Sequence, residues 1–289
     1  MLAPIFALGN AFFFAVHNVL TKKALRNSNP TTAVTVSLFI NAVFLWLISL
    51  LFIPLDSLAT PGIFIFVFIG LFQPGLTRLL TYKGIEHLGV AITDPIRATT
   101  PLFSALMAVA VLGEKMTLPV FCGTLLVVVG IWYLSQRPRA ARPVDVRYIF
   151  YPLLASVLAG FSQVLRKVGL GAVPHPILAA AVTASSSFAF MLLGYLIAGR
   201  KNQLFQATRQ SLPFLFGAGI AISIAMVCIY YALDLSPVVV VIPLSSTGPL
   251  FALALASVFL RESETVTLRI VTGACLIVFG VVLLTVWKA

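Results

Sequence analysis

Hydrophobic side chains follow one another across most of this chain, with few polar interruptions and no alternation of period two. Ten such runs, at 2–21, 31–53, 61–81, 93–112, 118–135, 148–168, 175–198, 211–232, 238–259 and 266–286, are each long enough to cross a bilayer as a helix. In hydrocarbon no water satisfies backbone N–H and C=O groups, so only helices or closed barrels can span it. Barrel strands have about 9–11 residues of alternating polarity, and these runs are too long and too uniformly apolar for that. The pattern predicts an all-α integral membrane protein of ten transmembrane helices.

The loops are short. The longest polar stretch, Ser135 to Arg147, contains Arg137, Arg139, Arg142 and two prolines. It separates a first five-helix unit, 1–136, from a second, 148–289, with the basic loop 137–147 between them. The two units resemble each other. At an offset of 148, Pro101-Leu102-Phe103 falls on Pro249-Leu250-Phe251, Pro95 on Pro243, Leu112 on Leu260, Glu114 on Glu262 and Tyr82 on Tyr230. A two-residue insertion then brings Gly123 onto Gly273 and Gly130 onto Gly280. Near the starts, Asn18-Val19-Leu20 faces Gln163-Val164-Leu165. Because five is odd, the second unit enters the membrane inverted. Inverted repeats of this kind characterise secondary transporters, with a substrate site at the repeat interface near the midplane. The expectation is therefore two inverted five-helix repeats around a central cavity. One chain supplies both halves, so a monomer suffices.

Composition sharpens this picture. Hydrophobic residues make up 60% of the chain, charged residues 9%, and the net charge is +11. The basic residues sit in short loops, which marks a topology signal rather than a nucleic-acid surface. Loops 1–2, 3–4, 5–6, 7–8 and 9–10 hold thirteen of the nineteen Lys and Arg residues. The opposite side holds Lys115, Arg166, Lys167 and Lys288, leaving Arg78 and Arg97 within the membrane. That bias places both termini outside. The first run has no charged n-region and no cleavage site, so it reads as a retained helix. Cys122, Cys228 and Cys275 fall inside apolar runs, as buried free thiols do. No nucleotide loop, catalytic motif or metal-ligand cluster is present. The chain reads as neither an enzyme nor a primary pump, with no cofactor, and its partners are membrane lipid and a small molecule.

The stretch from Tyr82 to Trp132, with Pro101-Leu102-Phe103-Ser104-Ala105-Leu106, Leu112-Gly113-Glu114, Gly123 and Gly130, resembles the EamA repeat of the drug/metabolite transporter superfamily. The stretch from Tyr230 to Leu284 repeats it, with Arg261 where a glycine is usual before Glu262. Among members the chain looks most like the YddG-type aromatic amino-acid exporters. That resemblance implies an amino acid, plausibly aromatic, carried outward across a bacterial inner membrane. The alternative is a carrier of another metabolite, such as a sugar phosphate, nucleotide sugar or cationic drug. A phosphate site should show more than one well-buried Lys or Arg.

Candidate site residues follow from polarity at depth. The two Pro-x5-Pro segments, Pro95 to Pro101 and Pro243 to Pro249, cannot complete a helical ladder, because proline lacks an N–H. Freed groups are tolerated where they line a cavity or find local partners. These segments contribute Arg97, Thr99, Thr100, Ser245, Ser246 and Thr247, with Ser104 just beyond. The hydroxyls and freed helix ends are candidates for a substrate carboxylate, with Arg97 as helper. Asp94, three residues before Arg97, alternatively neutralises it as a structural pair. Arg78, near the end of the third run, reads as a snorkelling residue. His17 and Asn18 face Ser162 and Gln163 through the repeat and suit either a cavity or interhelical bonds, and His17 also suits proton coupling. Gln73 before Pro74 is a further cavity candidate. Tyr82, Tyr230 and Tyr231 fit an interfacial belt or a stacking platform for a ring-bearing substrate.

Overall fold

The computed structural model describes residues 2–53, 60–88, 90–135, 145–199, 206–259 and 268–286. Leu260, Arg261, Glu262 and most of the basic inter-repeat loop lie outside the described residues. Every regular element among those described is helical. Eight helical stretches are long and apolar enough to cross a membrane, and Leu118–Leu134 and Val271–Val286 are shorter apolar helices.

The first two runs form α1 (Leu2–Ala24) and α2 (Pro30–Phe52). The start of α2 is set locally: Pro30 takes the first turn, where a missing N–H costs nothing, and the Asn29 side chain accepts the Thr32 N–H at 2.7 Å. The third run is two helices, α3 (Ile63–Phe72) and α4 (Gly75–Leu88), joined through a cis Gln73–Pro74 peptide. The Gly75 N–H, freed at this break, donates to Ser187 Oγ at 3.0 Å.

The fourth run is also interrupted, into α5 (Val90–Arg97) and α6 (Thr100–Leu112), and α7 (Leu118–Ser135) closes the first half. After a short 3-10 turn come α8 (Phe150–Ala172), α9 (Pro176–Ile197) and an unbroken α10 (Leu212–Leu235). The ninth run is split into α11 (Val238–Ser245) and α12 (Gly248–Phe259), followed by α13 (Leu268–Val286). The starts of α5 and α11, their ends, and the starts of α6 and α12 are each separated by 148 residues. The break in the third run has no counterpart in α10.

Two helices outrun their apolar stretches. The third run was bounded at residue 81, but α4 continues to Leu88; the sixth was bounded at 168, but α8 continues to Ala172. Polar residues end a hydropathy run without ending a helix, whose backbone bonds do not depend on them. The consequence is that Arg78 and Arg166 lie well inside their helices.

Packing joins the two halves. α1 lies chiefly on α10, and α3 and α4 lie on α8; α2 packs on α9, α3 on α9, and α2 on α10. α6 packs on α8, α11 and α12 pack on α1, and α6 meets α11. α1 buries Ala3, Ala7, Ala11 and Ala15, a four-residue stripe of small side chains that permits close approach. α7 and α13 pack mainly on each other. A Cβ on Gly123 would come 3.0 Å from the Gly280 oxygen, and one on Gly130 would come 2.8 Å from the Gly273 oxygen. These pairings require the two helices to run antiparallel. The free cysteines are not deeply buried: Cys122 and Cys228 are half-buried and Cys275 is exposed. Helix surfaces that face lipid accommodate a thiol as readily as a core does.

Candidate functional site

The half of the bundle nearest the α4–α5 connection holds a cluster of polar groups in which Arg78 and Arg97 are half-buried. Arg97, the last residue of α5, donates to Thr81 Oγ1 on α4 at 2.8 Å. Arg78, also on α4, donates to Ser37 Oγ on α2 at 3.3 Å. Asp94 is the carboxylate that acts on Arg97. Arg97 Nε is nevertheless buried without a hydrogen-bond partner, as are Gln73 Oε1, Asn41 Oδ1 and Thr93 Oγ1. A charge at membrane depth is costly and is a functional hypothesis by default. Here Arg78 does not snorkel: it points inward, against the expectation, because α4 extends two further turns beyond the end of its apolar run.

The Pro-x5-Pro breaks are tight. Beside Arg97, Thr99 N–H bonds to Ile96 O and Leu102 N–H to Thr99 O; in the second half Thr247 N–H bonds to Leu244 O. The hydroxyls bond inward too. Thr99 donates to Ile96 O, Thr100 to Arg97 O, and Ser104 to Pro101 O. Ser246 donates to Ile242 O and Thr247 to Leu244 O. The carbonyl that Pro101 frees, that of Arg97, is thus taken by Thr100. A hydroxyl has one proton, so these groups offer a substrate only acceptor lone pairs. Ser245 is different, since its buried Oγ has no partner. Gly160 on α8 lets the break approach closely: a Cβ there would stand 2.8 Å from the Ser104 nitrogen.

The remaining candidates divide. His17 is buried, and its Nδ1 donates to Ala218 O on α10 at 2.9 Å, since a carbonyl can only accept. That is an interhelical bond rather than an opening to a cavity. Asn18 is exposed. Tyr82 is half-buried against Val34, Leu38 and Met191. Tyr230 has 0% exposure, which removes it from any interfacial belt. Its ring lies beneath the Arg166 guanidinium, 5.1 Å away, and its hydroxyl meets Thr183 Oγ1 at 2.7 Å. Tyr231 stacks on Phe6. Gln163 is buried and accepts from Arg166 at 3.0 Å.

Sequence reasoning missed Arg166 as an interior residue and Glu114 as a cap. Glu114 takes the Val238 and Val239 N–H groups at 2.8 and 3.0 Å, closing the N-terminus of α11. The repeated Leu-x-Glu marked the residue but not its partner, which lies in the other half. An apolar groove between α2 and α9, lined by Phe39, Trp46, Leu47 and Phe188 among others, has no charged group and lies among side chains exposed on the outer surface. It is not the polar cluster.

Among the described residues no group of His, Cys, Asp and Glu is arranged to hold a metal ion.

Comparison with known proteins bears on what such a cluster serves. The family model described as the EamA-like transporter family matches residues 1–136 and 146–286. An uncharacterized transporter of Archaeoglobus fulgidus is 23% identical over 98% of this chain and 98% of its own. An uncharacterized protein of Methanocaldococcus jannaschii is 38% identical over 69 residues, 24% of this chain; the match spans 49% of that protein. One solved crystal structure shares the fold with a TM-score of 0.80, at 14% identity, over 98% of this chain and 96% of that one.

Proposed function

The chain belongs to the EamA-like transporter family, a multi-pass membrane transporter of small molecules, and from that premise we propose that it exports amino acids, aromatic ones foremost, across the bacterial inner membrane. The observation that carries the substrate class is the complementarity around the α5–α6 break. Arg97 brings a guanidinium with a buried, unpartnered Nε, which suits a carboxylate. Thr99 and Thr100, one turn on, have spent their protons on backbone carbonyls and can only accept, which suits an ammonium. An amino acid carries both groups on one carbon.

The same reading takes the carrier to be ten transmembrane helices in two inverted repeats, working by alternating access around a central cavity. Three features support it: the 148-residue spacing of the broken helices, the antiparallel α7–α13 pair, and helix pairs that exchange with their counterparts, α1–α10 with α8–α3 and α8–α4, and α3–α9 with α2–α10. Gly123 against Gly280 turns into Gly273 against Gly130 under that exchange.

Uptake of radiolabelled phenylalanine into proteoliposomes holding the purified protein tests the reading. Uptake above empty liposomes, competed by unlabelled tryptophan and reduced about tenfold or more in Arg97→Gln, is the expected result, since a charge-assisted hydrogen bond contributes about 1.5–3 kcal/mol. No uptake by folded protein would sink the amino-acid assignment. A second reading then takes its place, a carrier of phosphorylated metabolites, favoured by three arginines inside the bundle, Arg166 buried and Arg78 and Arg97 half-buried. Uptake of labelled organic phosphates in the same vesicles separates the two. Buried cations speak against a cationic drug.

A further inference from the structure

We propose that Arg166, with Gln163 and Tyr230, forms a second anion-binding station, which the substrate carboxylate occupies after leaving Arg97. This rests on the transporter reading above and adds a position that neither the family nor the repeat motif assigns.

Arg166 has 5% exposure. Among the described residues its contacts are with neutral groups: Gln163 Oε1 at 3.0 Å and the Tyr230 ring at 5.1 Å. Its Nε is buried without a hydrogen-bond partner. A guanidinium taken out of water needs a counter-charge and filled donor positions, because the desolvation cost runs to several kcal/mol per ion. Arg97 shares one feature with it, a buried, unfilled Nε, but Arg97 has the Asp94 carboxylate one turn earlier as a counter-charge. Each half therefore holds a guanidinium with an unused donor, and of the two Arg166 is the more deeply buried.

The surroundings of Arg166 hold it in place without neutralising it. Thr183 Oγ1 donates to Ala179 O at 2.9 Å, so the Tyr230 hydroxyl must be the donor in its contact with Thr183. That bond and the packing of Phe66 against the ring fix Tyr230 beneath the guanidinium. A cation over an aromatic face leaves its N–H edge open to an anion. Through the repeat, Tyr230 is the counterpart of Tyr82. Ser245, the counterpart of Arg97, has a buried hydroxyl without a partner on α11, which packs on α8.

The two stations lie in series. Ser156 on α8 bonds to Ile96 O beside the Arg97 break. Arg166 lies ten residues further along the same helix, about 15 Å at the helical rise. A carboxylate released from Arg97 as one side closes thus finds a second guanidinium in the half that opens next.

Thermal unfolding of the purified full-length protein tests this, with benzoate as the carboxylate probe, phenethylamine as the amine probe, and L-phenylalanine. Benzoate should stabilise the wild type. Arg97→Gln should keep part of that stabilisation, and Arg97→Gln/Arg166→Gln should lose it. Should the double variant fail to fold, Arg97→Gln/Arg166→Lys keeps the charge without the fork, and the benzoate midpoint should rise about tenfold over Arg97→Gln. Complete loss of the benzoate effect in Arg97→Gln alone overturns the second station, as does an Arg166 substitution that changes nothing in the Arg97→Gln background. Stabilisation by benzoate without stabilisation by L-phenylalanine sinks the amino-acid reading but leaves the station standing. Stabilisation by phenethylamine alone overturns both.

Discussion

A threonine that donates to its own helix still has lone pairs for a cation but no proton for an anion. That one fact divides the site. On the proposed reading Arg97 is left to hold a carboxylate, while Thr99 and Thr100 are left to hold an ammonium. The double substitution Thr99→Val/Thr100→Val keeps the shape and removes the acceptors. It should raise the KM for phenylalanine about tenfold, equivalent to about 1.4 kcal/mol, and leave benzoate stabilisation unchanged. An equal effect on both ligands would mean that the hydroxyls contact the carboxylate after all. At this scale the sequence was half legible. Arg97 stands out because it lies inside a Pro-x5-Pro segment three residues after Asp94. Arg78 stands out as intramembrane but reads as snorkelling, and Arg166 reads as a loop charge, because each sits near the edge of a run whose helix continues past it.

Elements were easier to find than to join. Hydropathy located every helix described, because water-free surroundings leave a spanning chain no alternative, and the Pro-x5-Pro spacing marked two of the breaks. The break at Gln73–Pro74 shows in the sequence as a polar residue before a proline, which reads as a cavity candidate. What the pattern could not show was how a broken helix is anchored, since that depends on contacts between halves. Glu114 supplies one anchor. Gly113 ends α6 in the left-handed conformation, at φ 65°, where glycine is strain-free. The next residue then reaches the first two N–H groups of α11 with one oxygen each. These are charge-assisted bonds at a helix N-terminus, where the macrodipole adds to them. Glu114→Gln retains one acceptor and loses the charge. It should destabilise the protein by about 1.5–3 kcal/mol, read as a lower unfolding temperature, with Glu114→Asp less affected than Glu114→Ala. An unfolding temperature unchanged by Glu114→Ala would show that α11 is held by packing alone.

The whole molecule carries a polarity that bears on direction. Lys and Arg are enriched in loops on the cytoplasmic face of membrane proteins. Counting by loop already placed both termini outside. Moving Arg166 from a loop to the interior leaves only Lys115, Lys167 and Lys288 on the termini's side. Lys167 is itself engaged, bonding the Leu233, Asp234 and Ser236 carbonyls at the end of α10. The charge bias therefore grows stronger once the structure is taken into account. On that orientation the proposed stations fall on opposite faces: Arg78 and Arg97 toward the α4–α5 connection, on the cytoplasmic side, and Arg166 toward the outer side. Under the proposed export reading the substrate loads from the cytoplasm and meets two guanidiniums first and one afterwards. Alkaline phosphatase fused at Ala289 should be active in cells and green fluorescent protein fused there should be dark. Fluorescence without phosphatase activity would reverse the assignment, place Arg78 and Arg97 on the outer side, and turn the same sequence of stations into one for uptake.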